Sequence, residues 1–389
     1  MKININKNFE KLSQNYLFSE IALRVNEFMA QNPNKELISL GIGDVKLPLC
    51  PCVCTALSSA ATEMGKIESF CGYSDAQGIP ALRQAIKKRY ERMGARVEFE
   101  DIFVNDGAKS DLANLCDLFG KGEVVIPDPV YPVYYDANVI AGQKIRLLST
   151  NEKDGFLPSP DALKNKPYII YLCSPNNPTG AVFDRSQLKK WVDFAHESGS
   201  VIIFDAAYES YISDAELPHS IFEIQGAKEV AIEVCSLSKM AGFTGVRCGW
   251  TVVCSENPLH ALWKRRQSTK FNGASVISQR GAVAALLPEG EKECKEQISY
   301  YMRNAEALGK MLKSKYIFFT GGNHSPYLWV KCPENLDSWS FFDHLLRNAG
   351  VISTPGAGFG EVGKDYIRLS AFASHESTKE AIERLNKIL

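Results

Sequence analysis

A lysine follows a predicted buried strand in the stretch Glu233-Val-Cys-Ser-Leu-Ser-Lys-Met-Ala-Gly-Phe-Thr-Gly-Val-Arg-Cys-Gly-Trp250. The strand is predicted over residues 230–234, because they form a short apolar run. Lys239 comes just after this strand, next to Ser238 and eight residues before Arg247. A lysine in this position is poorly placed for a solvated surface charge. It is well placed to form a Schiff base beside a bound phosphate.

Apolar strands alternate with helices on both sides of this stretch. Continuous apolar strands of this kind indicate a mostly parallel sheet that is covered by helices on both faces. After about residue 275, long helices and shorter strands predict a smaller α+β domain. We therefore predict an α/β fold with a large domain over 46–285, and a small domain that joins 1–45 to 286–389. The strands of the large domain are predicted at 102–105, 123–127, 168–173, 201–204, 230–234 and 250–254.

Composition excludes several classes of partner. The chain has 389 residues, 45% of them hydrophobic, which is enough for one large or two ordinary domains. A net charge of -1 argues against nucleic acid or an anionic membrane as the main partner. No apolar run approaches the roughly 18 residues of a spanning helix, and the N-terminus lacks the apolar core of a signal peptide. A cytoplasmic location is predicted.

The cysteines predict reduced thiols and no metal. Three of the eleven form the cluster Cys50-Pro-Cys52-Val-Cys54. Structural zinc sites space their ligands C-x2-C or wider and need a second pair, which this sequence does not supply.

Polar residues that follow the predicted strands meet the requirements of one cofactor, pyridoxal 5'-phosphate (PLP). Ligands of open α/β sheets bind beyond the carboxyl ends of the strands. Lys239 offers the amine for the aldehyde, and Asp205 offers the carboxylate that keeps the ring nitrogen protonated. Asn177 and Tyr208 offer donors to the phenolate oxygen. Tyr131 offers an aromatic ring against the pyridine face.

A phosphate site is predicted from a turn and two side chains. The turn Gly107-Ala-Lys-Ser110 leads from a strand into a helix, so its amides are free to bind an anion. Ser236 and Arg247 supply further donors. Each residue alone has an ordinary structural explanation, such as a helix cap or an ion pair. Their agreement on one cofactor is what supports the prediction.

Three motifs carry a resemblance to the class I/II aminotransferases of fold type I, over nearly the whole chain. They are Asn177-Pro-Thr-Gly180, Asp205-x-x-Tyr208, and Ser236-x-x-Lys239 followed by Arg247. The resemblance implies a seven-stranded, mostly parallel sheet, bound PLP, and a homodimer. It implies catalytic roles for Lys239, Asp205 and Tyr208. The implied cofactor contacts are Ala108, Lys109, Tyr131, Asn177, Asp205, Tyr208, Ser236, Lys239, Arg247 and, from the partner subunit, Tyr73 and Asn272.

The resemblance also implies a substrate site. Arg368 matches the arginine that clamps the substrate α-carboxylate, and Asn272 matches a residue that reaches the distal end from the partner subunit. The implied substrate contacts are Gly43, Tyr73, Lys109, Tyr131, Asn177, Asn272 and Arg368.

Five stretches are similar, more narrowly, to the diaminopimelate-specific branch of that family in its chlamydial form. This branch converts LL-2,6-diaminopimelate and 2-oxoglutarate to tetrahydrodipicolinate and glutamate, in lysine and peptidoglycan-precursor synthesis. The stretches are Gly41-Ile-Gly-Asp44, Gly107-Ala-Lys-Ser-Asp111, Tyr131-Pro-Val-Tyr134, Lys239-Met-Ala-Gly-Phe-Thr-Gly-Val-Arg247 and Phe271-Asn-Gly-Ala-Ser275.

One loop departs from the plant-type pattern Gly-Tyr-Gly-x-Glu-Gln-Gly. Here the loop is Gly72-Tyr-Ser-Asp-Ala-Gln-Gly78, so Ala76 takes the place of the glutamate and Asp75 precedes it. A glutamate-linked aminotransferase of broader specificity is therefore an alternative, as is a PLP β-lyase. A non-catalytic PLP-binding regulator is a further alternative, but it needs an appended DNA-binding module that the N-terminus does not offer.

Overall fold

The structure is a computed structural model that describes residues 3–12 and 17–389. Three sheets organise this part of the chain, with seven, four and two strands. The strands are β1 (Ile38–Ser39), β2 (Ile102–Asn105), β3 (Glu123–Asp128), β4 (Lys144–Ser149), β5 (Ile169–Cys173), β6 (Val201–Asp205), β7 (Ala231–Ser236), β8 (Gly249–Val253), β9 (Phe319–Gly321), β10 (Tyr327–Lys331), β11 (Val351–Ile352), β12 (Thr354–Pro355) and β13 (Tyr366–Ser370).

Helices lie between most of the strands. The α-helices of the described residues are α1 (Leu17–Gln31), α2 (Pro51–Met64), α3 (Pro80–Arg92), α4 (Ala108–Asn114), α5 (Val133–Ile140), α6 (Arg185–Ser198), α7 (Ala227–Val230), α8 (Leu237–Met240), α9 (His260–Lys270), α10 (Val276–Leu286), α11 (Pro288–Ser314), α12 (Ser338–Ala349) and α13 (His375–Leu385).

The seven-stranded sheet has the order β2-β8-β7-β6-β5-β3-β4. β8 runs antiparallel to both of its neighbours, β2 and β7, and the other pairings are parallel. The sheet is buried on both faces, because α3 and α6 pack on one side and α4, α5 and α9 on the other. The predicted α/β fold with a mostly parallel, helix-covered sheet is confirmed.

Parallel pairing brings the carboxyl ends of three strands together. Cys173 pairs with Asp205 across β5 and β6, and Asp205 pairs with Val234 across β6 and β7. Ser236 ends β7 two residues later. The polar residues that follow these strands therefore meet at one edge of the sheet.

A four-stranded antiparallel sheet, in the order β12-β13-β10-β9, forms the core of the C-terminal part. Helices α11, α12 and α13 contribute to its apolar cluster. The N-terminal segment joins this part through β1, which pairs with β11 in parallel. β13 carries Arg368 toward the carboxyl edge of the large sheet. The predicted division at residues 46 and 285 stays a prediction.

The sequence analysis did not predict several elements, among them α5, α8, β4, α9 and β9. Three of these, β4, α9 and β9, bury few apolar side chains. β4 lies at the sheet edge, and its positions 144–147 are exposed or half-buried. α9 carries Lys264, Arg265 and Arg266 and buries only Trp263 and Gln267. β9 has three residues, all half-buried.

Two further observations concern membrane-spanning helices and the cysteines. Within the described residues, no helix is both long and apolar enough to cross a membrane. All eleven cysteines are free thiols in the structure, and Sγ of Cys50 lies 3.9 Å from Sγ of Cys294. A cytoplasmic location stays a prediction.

Candidate active site

A cavity of about 340 Å³ opens at the carboxyl edge of the seven-stranded sheet. Eleven of the thirteen predicted site residues line it. They are Gly43, Ala108, Lys109, Tyr131, Asn177, Asp205, Tyr208, Ser236, Lys239, Arg247 and Arg368.

Lys239 lies on α8, directly after β7, with its backbone fixed from both sides. Ser236 caps the helix by accepting a 3.1 Å bond from the Ser238 amide, and the Tyr211 hydroxyl donates a 3.1 Å bond to the Lys239 carbonyl. The Lys239 ammonium donates to the Gly43 carbonyl. Burial lowers the pKa of Lys239 to about 8, against the opposing effect of the Asp44 carboxylate. This amine is therefore far easier to deprotonate than an exposed lysine.

Asp205 ends β6 with its side chain 5% exposed. Its Oδ1 accepts a 2.9 Å bond from the Ala207 amide, and its Oδ2 accepts a 2.5 Å bond from the Tyr134 hydroxyl. Burial raises the pKa of Asp205 to about 6, although both hydrogen bonds lower it. A carboxylate held this way in an apolar site is strongly stabilised by a cationic ligand.

The predicted phosphate site is a tight cradle between two loops. Gly107, at φ +117°, precedes α4, and a Cβ there would collide with the Arg247 guanidinium. Arg247, itself at φ +64°, donates 3.3 Å bonds from Nη1 to the Ser238 hydroxyl and the Thr244 carbonyl. The guanidinium is thus held next to the first amides of α4. Together they form a donor set that suits a phosphate.

Arg368 is the buried cation of the cavity. Its Nη1 donates a 2.6 Å bond to Asn177 Oδ1, and its Nη2 donates a 2.8 Å bond to the Gly41 carbonyl. The Tyr327 ring lies 4.2 Å from the guanidinium carbon. Among the described residues, Nε has no hydrogen-bond partner. A buried guanidinium with an unused donor suits a ligand carboxylate.

Tyrosines form the remaining wall. The hydroxyls of Tyr208 and Tyr327 are 2.6 Å apart and buried. Burial raises the pKa of Tyr208 well above its ordinary value, so this phenol stays a neutral donor. Tyr131 packs edge-on against Tyr134, with ring centroids 6.1 Å apart. The half-buried lysine amine, the buried carboxylate, the phosphate cradle and the unused arginine donor all fit PLP and an amino-acid substrate.

Two of the predicted residues lie outside the cavity. Tyr73 is 89% exposed on the loop before α3, and Asn272 is exposed on the loop between α9 and α10. Neither lines the cavity of its own chain. Their predicted role in the partner subunit's site stays a prediction.

Sequence reasoning missed several side chains that the fold brings to the site. Tyr134 bonds Asp205, and Tyr327 bonds Tyr208. Asp44 and Ser238 also line the cavity. The signal for Asp44 and Tyr134 was their place inside stretches that already carried the family resemblance. Tyr327 had none, because it lies on β10 in a different sheet.

Three comparisons with known proteins agree with this geometry. The family described as Aminotransferase class I and II matches residues 35–385. LL-diaminopimelate aminotransferase of Agathobacter rectalis is 47% identical, with 99% of each chain covered. The enzyme of the same name from Methanosphaera stadtmanae is 46% identical over the full length of both chains.

A solved structure extends the similarity to three dimensions. L,L-diaminopimelate aminotransferase from Chlamydomonas reinhardtii superimposes with a TM-score of 0.94 at 41% sequence identity, covering 100% of this chain and 99% of that chain. The match therefore includes the C-terminal sheet and the N-terminal segment as well as the large sheet. By sequence and by structure, the chain belongs to the class I and II aminotransferases, which are PLP-dependent enzymes.

Proposed function

We propose that this enzyme transfers an amino group between LL-2,6-diaminopimelate and 2-oxoglutarate, giving tetrahydrodipicolinate and glutamate. The observation that carries the proposal is one cavity in which a half-buried lysine amine, a buried aspartate and a buried arginine converge. The identity of 46–47% to full-length LL-diaminopimelate aminotransferases supports the choice of substrates. The product places the enzyme in lysine and peptidoglycan-precursor synthesis.

PLP, when bound, withdraws electrons from the substrate α-carbon so that its proton becomes acidic. Lys239 would hold the cofactor through its amine in the resting enzyme. The amides of Ala108 and Lys109, together with Ser236 and Arg247, would hold the phosphate.

Lys239 is the proposed general base and acid. With its amine free, Nζ would take the proton from the substrate α-carbon and later return a proton. The lowered pKa of Lys239, about 8, leaves a useful fraction of neutral amine near neutral pH. Asp205 would stabilise the protonated ring nitrogen, and Tyr134 holds the Asp205 carboxylate in place.

Arg368 orients the substrate. Its two Nη atoms are fixed by Asn177 and Gly41, so the guanidinium plane is set before the α-carboxylate arrives. A fixed planar donor selects for a carboxylate at one end of the substrate. Asn177 and Tyr208 would bind the phenolate oxygen of the cofactor, and Tyr131 would lie against its ring.

A homodimer completes the site in this proposal. Tyr73 and Asn272 are exposed and lie outside the cavity of their own chain. The proposal places them in the partner's site, Tyr73 at the phosphate and Asn272 at the distal end of the substrate. The exposed apolar side chains of Ile67 and Phe70 lie beside this loop, as expected for a surface that a second subunit covers.

A second candidate is a glutamate-linked aminotransferase of broader specificity. It is favoured by Ala76, which offers no carboxylate to the distal amino-acid centre.

The test that separates the two candidates is a set of half-reactions in which the cofactor is converted from its aldehyde to its amine form. LL- and meso-diaminopimelate, glutamate and aspartate are compared. Conversion by LL-diaminopimelate and glutamate supports the first candidate, similar rates with all four support the second, and pyruvate with ammonia would indicate a β-lyase.

A further inference from the structure

Gln279 joins the two loops that carry Tyr73 and Asn272. It lies on α10 and is fully buried. Its Oε1 accepts a 2.7 Å bond from the Ile79 amide, just after the Tyr73 loop. Its Nε2 donates a 2.8 Å bond to the Ala274 carbonyl in the Asn272 loop, and a 3.2 Å bond to the Ser74 hydroxyl. One side-chain amide thus bonds to both loops.

Glycines at the contact keep the two loops close. Gly273 has φ +88°, and a Cβ there would lie 2.7 Å from the Ser74 hydroxyl and 3.1 Å from the Asp75 carbonyl. Gly78 has φ +104°, and a Cβ there would lie 2.9 Å from Oε1 of Gln279. Residues with a side chain rarely adopt such φ values, and a side chain at position 273 would push the two loops apart. The loops therefore form one unit rather than two independent segments.

None of the residues that the Gln279 side chain hydrogen-bonds lines the cavity of its own chain. Ser74, Ile79 and Ala274 are all absent from the lining of that cavity. Tyr73 and Asn272 instead project from an exposed surface next to the joined loops. A buried side-chain amide whose oxygen and nitrogen are both hydrogen-bonded holds the groups that it connects in a fixed arrangement.

We propose that Gln279 is a positioning residue for the partner subunit's active site: it fixes Tyr73 and Asn272 as one unit that reaches the phosphate and the distal end of the substrate there. This inference rests on the proposed homodimeric function. In this proposal, one side chain on α10 sets the positions from which Tyr73 and Asn272 enter the partner subunit's site. The same helix is anchored near the phosphate cradle of its own chain, because Ser278 donates a 2.7 Å bond to the Val246 carbonyl.

The test uses Gln279→Met, which keeps the side-chain volume and removes both the hydrogen-bond acceptor and the donor of the amide. Loss of a hydrogen bond to the cofactor phosphate and of a distal substrate contact is expected to weaken PLP binding about tenfold and to lower kcat/KM about tenfold or more. The matched control is Gln267→Met, at a buried glutamine on α9 whose side-chain oxygen accepts a 2.9 Å bond from Arg266 rather than from either loop. It is expected to leave both values within about twofold.

Heterodimers separate a trans effect from a local one. Chains carrying Gln279→Met and chains carrying Lys239→Ala are co-expressed with different tags, and the mixed dimer is isolated. Its one site with an intact Lys239 receives the loops of a chain with an intact Gln279. The expected activity is about half that of the wild-type dimer, since one of two sites is complete. Activity no higher than half that of the Gln279→Met homodimer would overturn the proposal.

A second variant covers the case in which Gln279→Met does not fold. Gly273→Ala changes a surface loop and forces the same two loops apart, so it is expected to give the same losses and the same recovery in the mixed dimer. Wild-type values of PLP affinity and kcat/KM in either variant would overturn the inference. PLP affinity is scored without any substrate, so failure of wild-type protein to convert diaminopimelate would reject the proposed function and leave this test intact.

Discussion

Arg368 and Asn177 are joined by a 2.6 Å hydrogen bond across two sheets. Arg368 lies on β13 of the four-stranded sheet, and Asn177 follows β5 of the seven-stranded sheet. The bond therefore ties the predicted carboxylate clamp to the predicted cofactor contact. Both side chains are buried, at 1% and 7% exposure, so water competes little for their donors and acceptors.

Arg368→Lys keeps the positive charge and removes the fixed planar donor. We expect KM for every amino-acid substrate to rise about 100-fold, because two charged hydrogen bonds are worth about 3 kcal/mol. Saturation curves of the half-reactions measure this, with Arg303→Lys at an exposed position of α11 as the control. A KM within about threefold of wild type would contradict the assigned role.

Tyr134→Phe removes the hydroxyl that donates a 2.5 Å bond to Asp205 and also lies beside the Cys173 thiol. That bond lowers the Asp205 pKa, so its loss is expected to raise the pKa further above about 6. We expect kcat to fall about tenfold, the cost of one charged hydrogen bond. Tyr171→Phe, at the ring stacked on Tyr134, is the control and should retain kcat within about twofold. Equal losses in both variants would assign the effect to packing.

Much of the large sheet and of the candidate site could be predicted from the sequence, because short stretches of sequence determine where each strand ends and which polar residues follow it. The strand before Lys239 is apolar except for Glu233, and each polar residue at its end follows from chain position. Tyr327 could not be predicted, since it reaches Tyr208 from another sheet and 119 residues along the chain. Edge strand β4 was missed because Lys144 and Arg146 interrupt its apolar pattern.

Lys239 is expected to react with PLP in its neutral form, so attachment should depend on pH. Burial lowers the pKa of Lys239 from 10.5 to about 8. The rate of PLP attachment to apo-protein should therefore rise with pH up to about 8 and level off above it. Stopped-flow absorbance across pH 6 to 10 measures the profile. A rate that keeps rising toward pH 10 would contradict the lowered pKa.

The same lowered pKa predicts a stability effect. The folded-state pKa of Lys239, about 8, lies below the unfolded value of 10.5, so between these pH values the unfolded chain binds a proton that the folded chain has released. The free energy of unfolding contributed by Lys239 therefore rises with pH across that window. At pH 7 the folded state carries the full cost of a buried charge.

Lys239→Met is accordingly expected to stabilise apo-protein by roughly 3 kcal/mol at pH 7, and by progressively less as pH rises toward 10. Urea unfolding at pH 7 and pH 9.5 measures both values. Lys310→Met, at a side chain 73% exposed on α11, should change stability by less than about 0.5 kcal/mol at either pH. A Lys239→Met variant less stable than wild type at pH 7 would contradict this account.

Ala76→Glu tests the loop that departs from the plant-type pattern. The neighbouring Asp75 carboxylate accepts a 2.8 Å bond from the Gln77 amide, so it caps the turn within its own loop. A carboxylate at position 76 is expected to raise the preference for LL- over meso-diaminopimelate about tenfold, through one charged contact to the distal ammonium. Competition half-reactions measure the ratio. Ala76→Gln is the uncharged control, and an equal change in both variants would remove charge as the cause.

The half-reaction with LL-diaminopimelate tests the central claim most directly. Purified wild-type protein with PLP is mixed with LL-diaminopimelate, and the cofactor spectrum is followed alongside the Lys239→Ala variant. The account predicts that wild-type protein converts the cofactor to its amine form, that 2-oxoglutarate restores the aldehyde form with release of glutamate, and that Lys239→Ala does neither. No conversion by the wild-type protein, or conversion by Lys239→Ala at the wild-type rate, would contradict it.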